Sequence, residues 1–155
     1  MVAKWYVLRS KPRKEQVLYK SLKDKGYDVF YPRISYGVNG SREIKWVPYF
    51  PGYLFVKIDL DQDKVSSFQW MPYSFGLVCF GEKPGYVPDN LIQALGRRGR
   101  NGNSSHKPIS DGVDLHDGEV GYTSYDAICS SLMNEKMVGK KRVSALLGLL
   151  EELNE

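Results

Sequence analysis

Residues 4 to 10, KWYVLRS, form a short apolar run closed by charge, which predicts a strand. Pro12 then opens a helix whose apolar Val17, Leu18 and Leu22 fall at helical spacing, and Gly26 stops it. YDVFYPRI, 27 to 34, predicts a second strand with Pro32 near its exit. In SYGVNGSREIKWV the Asn39-Gly40 pair predicts a projecting hairpin. After the Pro48 and Pro51-Gly52 breaks, YLFVKIDL reads as a strand, DKVSSFQW (63 to 70) as a short helix and GLVCFG (76 to 81) as another strand. Pro88-Asp89 opens the helix DNLIQALGRR. This order predicts an α+β fold, an α/β sandwich on a mostly antiparallel sheet.

Within that pattern, VPYFPGYLFVKI (47 to 58) holds more aromatic residues than one buried strand face needs, since only alternate side chains point the same way. Either both faces of this strand are covered, or one meets a partner. Downstream, GRRGRNGNSSHKP (96 to 108) has the composition of a linker and places a domain boundary near residue 100. The expected division is a domain at 1–98, a linker at 99–109 and a small segment at 110–155. In that segment Val143, Leu146, Leu147, Leu150 and Leu153 form an apolar helical stripe, and Tyr125, Ile128, Leu132 and Met133 a shorter one. Two helices, at about 124–134 and 138–153, would leave an apolar ridge seeking a groove. Gly148 within the second costs about 1 kcal/mol relative to alanine.

Charge sharpens the division. Residues 1 to 100 carry 17 Lys/Arg against 9 Asp/Glu, while residues 101 to 155 carry 5 against 9. A basic first part suits a polyanion, and an acidic second part can mask it or be drawn to it. Lys11, Arg13, Lys14, Lys20, Lys23 and Lys25 crowd the first helix and its approach. They are either a solvated face or a phosphate-binding one. Arg42 and Lys45 on the hairpin are weaker candidates for a DNA or protein contact.

Little else points to chemistry. Cys79 and Cys129 belong to no CxxC pair and read as two buried thiols, and His106 and His116 have no partner at a ligand spacing. No metal, cofactor or catalytic cluster is expected, and an enzyme, such as a phosphodiesterase, is disfavoured. No apolar run approaches the roughly 20 residues of a membrane span. The first residues turn charged too early for a signal peptide, so a cytoplasmic protein is expected.

WYVLRSKPRKE at the start, FYPR at 30 to 33, FPGYLFV at 50 to 56 and LVCFGEKPGYVPD at 77 to 89 together resemble the NusG family of transcription elongation factors, in register across residues 4 to 95. The chain is more similar to the specialised paralogues (RfaH, LoaP, UpxY) than to NusG itself. The resemblance implies that Phe50, Tyr53, Phe55 and Phe80, with Ile92 and Leu95, form a surface for the clamp helices of the largest catalytic subunit of RNA polymerase. It implies that Ser66 and Ser67 remain available for a second polymerase element, where Lys64-Val65-Ser66 replaces the His-Thr-Thr of RfaH. Arg9 replaces a tyrosine of that relative. The basic helix would face the non-template DNA strand.

For the C-terminal segment the resemblance implies a small KOW-motif β-barrel, with a ribosomal protein or Rho as partner. SDGVDLHDGEVGYTSYDAI only half matches that motif, KKRVSALLGLL resembles its third strand, and the chain ends where two more strands are expected. The leucine stripe favours the helical hairpin instead. Such a hairpin, packed on the clamp-helix surface through Ile128, Leu132, Val143, Leu146, Leu147 and Leu150, would block polymerase, as happens in RfaH. The competing reading is a free-standing RNA- or single-strand-binding module, to which the basic face and the aromatics also conform.

Overall fold

The computed structural model of the chain describes residues 3–37, 40, 42, 44–101 and 139–154. Its elements in chain order are β1 (Lys4–Ser10), α1 (Glu15–Asp24), β2 (Asp28–Phe30), β3 (Arg33–Gly37), β4 (Ile44–Pro48), β5 (Tyr53–Ile58), α2 (Val65–Gln69), β6 (Ser74–Leu77), β7 (Cys79–Phe80), β8 (Lys83–Pro84), β9 (Tyr86–Val87), α3 (Asp89–Asn101) and α4 (Gly139–Leu153). The fold is α+β, and every strand pair is antiparallel.

β1 is the centre of the main sheet. It pairs along its length with β5, Lys4 opposite Ile58 and Arg9 opposite Tyr53. Its other edge is shared by β9 near its start and β6 near its end. β2 pairs with the far edge of β5, giving the order β2-β5-β1-β6. Alternation along β1 and β5 sends Trp5, Val7 and Phe55 into one core, and Tyr6, Leu8, Leu54, Val56 and Ile58 into a second. Both faces of the aromatic strand are therefore covered. The second core is roofed by Leu18, Tyr19 and Leu22 of α1 and Phe68 of α2. The first is roofed by α3, the Tyr49-Phe50 turn and α4.

α1 starts at Glu15, later than Pro12 suggests, after Arg13 in the left-handed region at φ 61°. Its phase then turns Tyr19 inward and leaves Val17 45% exposed, so Val17 is not part of the buried stripe. Gly26 (φ 90°) ends the helix in a Schellman motif: its N–H donates to the Lys23 carbonyl at 3.0 Å, and the Tyr27 N–H to the Leu22 carbonyl at 3.1 Å.

Four further segments differ from the simple pattern. YDVFYPRI is split, β2 lying in the main sheet and β3 in a separate two-stranded ribbon with β4. Pro32, which has no N–H for a ladder, sits at the break. The ribbon is joined by residues 38–43, since Gly37 pairs with Ile44; Gly40 (φ 79°) lies inside this loop, not in a two-residue turn. GLVCFG is likewise divided into β6 and β7, the latter paired with β8. Finally, α3 continues to Asn101, beyond the expected end of the first domain at 98.

Candidate functional site

Phe50, Phe55, Ile92 and Leu95 meet in one apolar cluster on the first face of the sheet, and none is more than 1% exposed. Phe55 is held by two rings, Phe30 at 5.5 Å and Phe50 edge-on at 5.8 Å. Tyr53 and Phe80 are partly buried against the same cluster. The Phe80 ring lies against Gly85, where a Cβ would come within 2.2 Å of it. What closes the cluster is α4. Leu146 and Leu150 are fully buried in it, and Val143, Leu149 and Leu153 pack around them.

KKRVSALLGLL (140–150), which also resembles a barrel strand, is thus helical here, within Gly139–Leu153. Leu147 departs from the expected stripe, since it is half-buried and faces a neighbouring cavity. Ile128 and Leu132, with the first helix of the expected hairpin, lie outside the described residues, as do Cys129, His106 and His116.

Polar contacts fasten α4 near both ends. Arg142, 3% exposed, stacks on the Tyr49 ring at 4.6 Å and donates from Nη1 to the Tyr49 carbonyl at 2.9 Å. Burial pulls its pKa down, with Tyr49 opposing. At the other end, the Asn154 carboxamide accepts from the Tyr86 N–H and donates to the Tyr86 carbonyl, both at 3.0 Å. The helix start also needs Gly139, where a Cβ would sit 2.8 Å from Pro51 Cγ. Neither Arg142 nor Asn154 belongs to an apolar stripe, so periodicity gives no sign of them.

Gly148 is different: it is exposed, and a Cβ there meets nothing within 4 Å. Gly148→Ala should therefore stabilise α4 by about 1 kcal/mol. Amide exchange of α4 through local opening should slow about fivefold, measured by mass spectrometry; unchanged exchange would show that docking, not propensity, limits the helix.

A second region, around α1 and the end of β1, is basic. Lys11, Arg13, Lys14, Lys20, Lys23 and Lys25 are all exposed. Beside them stand aromatic residues that a helix or strand pattern does not single out: Trp70 is 81% exposed, Phe75 51% and Tyr73 41%. The cations and rings interleave. Lys14 Nζ is 5.3 Å from the Tyr73 ring centre, and Arg9 and Lys11 approach Phe75 at 5.3 and 5.9 Å. The signal lay in the turn sequence WMPYSF, where a backbone reversal presents aromatics to solvent instead of to a core. Ser66 and Ser67 are exposed on α2, and Ser67 Oγ donates to the Lys64 carbonyl at 2.6 Å.

Nearby, burial pushes the Tyr31 phenol up to about 12, with Glu15 adding to the shift and Arg33 opposing it. Cys79 is an exposed free thiol, not a buried one, because in β7 it is Phe80 that packs on the cluster and its neighbour turns the other way. Among the described residues no three His, Cys, Asp or Glu side chains come together as a metal site, and no helix is long and apolar enough to cross a membrane.

No curated protein matches the chain. Residues 3–96 match the family model described as transcription termination factor nusG.

Proposed function

The chain belongs to the NusG family of transcription factors, and from this premise we propose that it is a specialised, RfaH-like elongation and antitermination factor whose polymerase-binding surface is closed by α4. Phe50, Tyr53, Phe55, Phe80, Ile92 and Leu95 are the surface for the clamp helices of RNA polymerase, with Ser66 and Ser67 reaching a second element. Residues 1–98 are the polymerase-binding domain, and 110–155 the regulatory segment.

One observation carries the reading: Leu146 and Leu150 occupy the very cluster that holds Phe50, Phe55, Ile92 and Leu95. A helix already fills the position where helix-in-groove docking would place the clamp helices. Deleting residues 110–155 should raise affinity for purified RNA polymerase in a titration free of nucleic acid. Equal binding by the intact and shortened chains would remove autoinhibition from the proposal.

The basic face is the contact to non-template DNA. Its lysines supply the salt-dependent phosphate term, while Trp70, Tyr73 and Phe75 supply ring faces on which unpaired bases stack. Changing Lys14, Lys20 and Lys23 to glutamine should flatten the slope of log affinity against log salt by about two to three, at roughly one per lost phosphate contact. An unchanged slope would return these lysines to a solvated face. A free-standing nucleic-acid-binding module draws on the same exposed rings and cations. It differs in that its capture of polymerase would disappear after nuclease treatment.

A further inference from the structure

Beneath the first turns of α4 lies a cavity of about 1280 Å³. Its floor is the end of β1 and the start of α1, one wall is the β3–β4 ribbon, and α4 from Gly139 to Leu147 forms the other side. Among the described residues five cationic ones line it: Arg9, Arg13 and Arg33 from the N-terminal part, and Lys140 and Arg142 from α4. Among the described lining residues the only acid is Glu15, whose Oε1 already accepts the Gly52 N–H at 2.9 Å. A concave space lined so strongly by one sign of charge concentrates anions. Arginine forks match phosphate oxygens in particular.

The walls are not only basic. Tyr31, Tyr53 and Phe75 also border the space. Phe75 is half exposed, and its ring carries the Arg9 guanidinium at 5.3 Å. Aromatic faces beside several guanidiniums suit a ligand that is planar at one end and multiply anionic at the other.

We infer that this cavity binds a phosphorylated small molecule of the nucleotide class, its phosphates among Arg9, Arg13 and Lys140 and its planar group against the aromatic wall. The cations come from two parts of the chain, so a bound polyanion joins Lys140 of α4 to Arg9 and Arg13 of the sheet domain. Ligand binding therefore strengthens the seat of α4. The binding needs α4 docked as the structure has it; only a consequence for polymerase rests on the autoinhibition proposed above.

The full chain should be titrated calorimetrically at low salt with ATP, inorganic tripolyphosphate and a deoxythymidine trinucleotide. ATP should bind most tightly. Arg9 and Lys140 are exposed, so Arg9→Gln and Lys140→Gln should spare the fold. Each should weaken ATP and tripolyphosphate by about tenfold, the effect of losing one charge-assisted hydrogen bond. Phe75→Ala should weaken ATP while leaving tripolyphosphate unchanged. Saturating ATP should also slow amide exchange in α4.

No binding of either polyphosphate, or binding indifferent to both charge variants, would overturn the site. Tighter binding of the trinucleotide than of ATP, with the same sensitivity to Arg9→Gln and Lys140→Gln, would assign the cavity to a nucleic-acid strand and overturn the small-molecule proposal. Binding of ATP without slower exchange in α4 would overturn the coupling. Polymerase is absent from these titrations, so their failure and that of the proposed function are read separately.

Discussion

Leu146→Asp is expected to release α4 and raise polymerase affinity to that of the chain shortened at residue 109. Leu146 is 1% exposed and surrounded by the Phe50 and Phe55 cluster, so the substitution removes its packing and places a carboxylate where no water reaches. Loss of a buried leucine side chain alone costs about 2 to 5 kcal/mol, and an unpaired buried charge adds to that. A closed state favoured by 99 to 1 lowers apparent affinity about a hundredfold, which corresponds to roughly 2.7 kcal/mol. The variant therefore exceeds what such a closed state can withstand. Fast amide exchange over residues 139–153, with β1 and β5 still protected, should accompany the gain. Slow exchange there together with unchanged affinity would refute the mechanism.

The position of Leu146 was legible because a leucine stripe with helical spacing has few other uses in a short polar segment. Leu147 was not separable from it, since five stripe residues cover more of a helix than one seam requires. The ends of α4 were less legible still. Arg142 and Asn154 bind backbone atoms of Tyr49 and Tyr86, partners 93 and 68 residues distant, and no local pattern encodes such pairings. In the sheet, β1 and β5 follow directly from their apolar runs. The divided strands do not, because where Pro32 directs the chain is decided by packing after the break.

The second large effect separates folding from binding. Phe50→Ala should destabilise the protein by about 3 to 5 kcal/mol, the usual cost of emptying a buried phenylalanine site. Phe50 is 1% exposed and edge-on to Phe55 at 5.8 Å, so its loss opens a void at the centre of the cluster. Total stabilities are commonly about 5 to 15 kcal/mol, which makes this a large fraction. The denaturation midpoint in urea should fall accordingly. Lost polymerase binding in this variant would therefore say little about contact. Phe80 and Tyr53, only partly buried, are better probes: alanine there should reduce polymerase binding while leaving the urea midpoint closer to that of the parent chain. A Phe50→Ala midpoint equal to the parent's would mean that the ring is not part of the core.

Residue names conceal the difference between these aromatics. Phe50 and Phe80 both stand in apolar motifs, but Phe50 follows Pro48-Tyr49 into the space between sheet and α3, whereas Phe80 rides on Gly85 at the rim. The alternation of a strand tells which side a residue faces, not how deep it lies.

The Asn154 carboxamide occupies both hydrogen-bonding groups of Tyr86 on β9. A side-chain amide has the same donor and acceptor as a peptide unit, so Asn154 acts as one residue of an additional strand and blunts that part of the sheet's rim. Departure of α4 would strip this cover at the moment it bares the leucine-binding cluster. The opened molecule would then present apolar surface next to unpaired backbone groups, the combination through which identical chains adhere to one another. Under the proposed opening, closure by α4 would also favour colloidal solubility, and opened chains should persist in solution only at low concentration or on a partner.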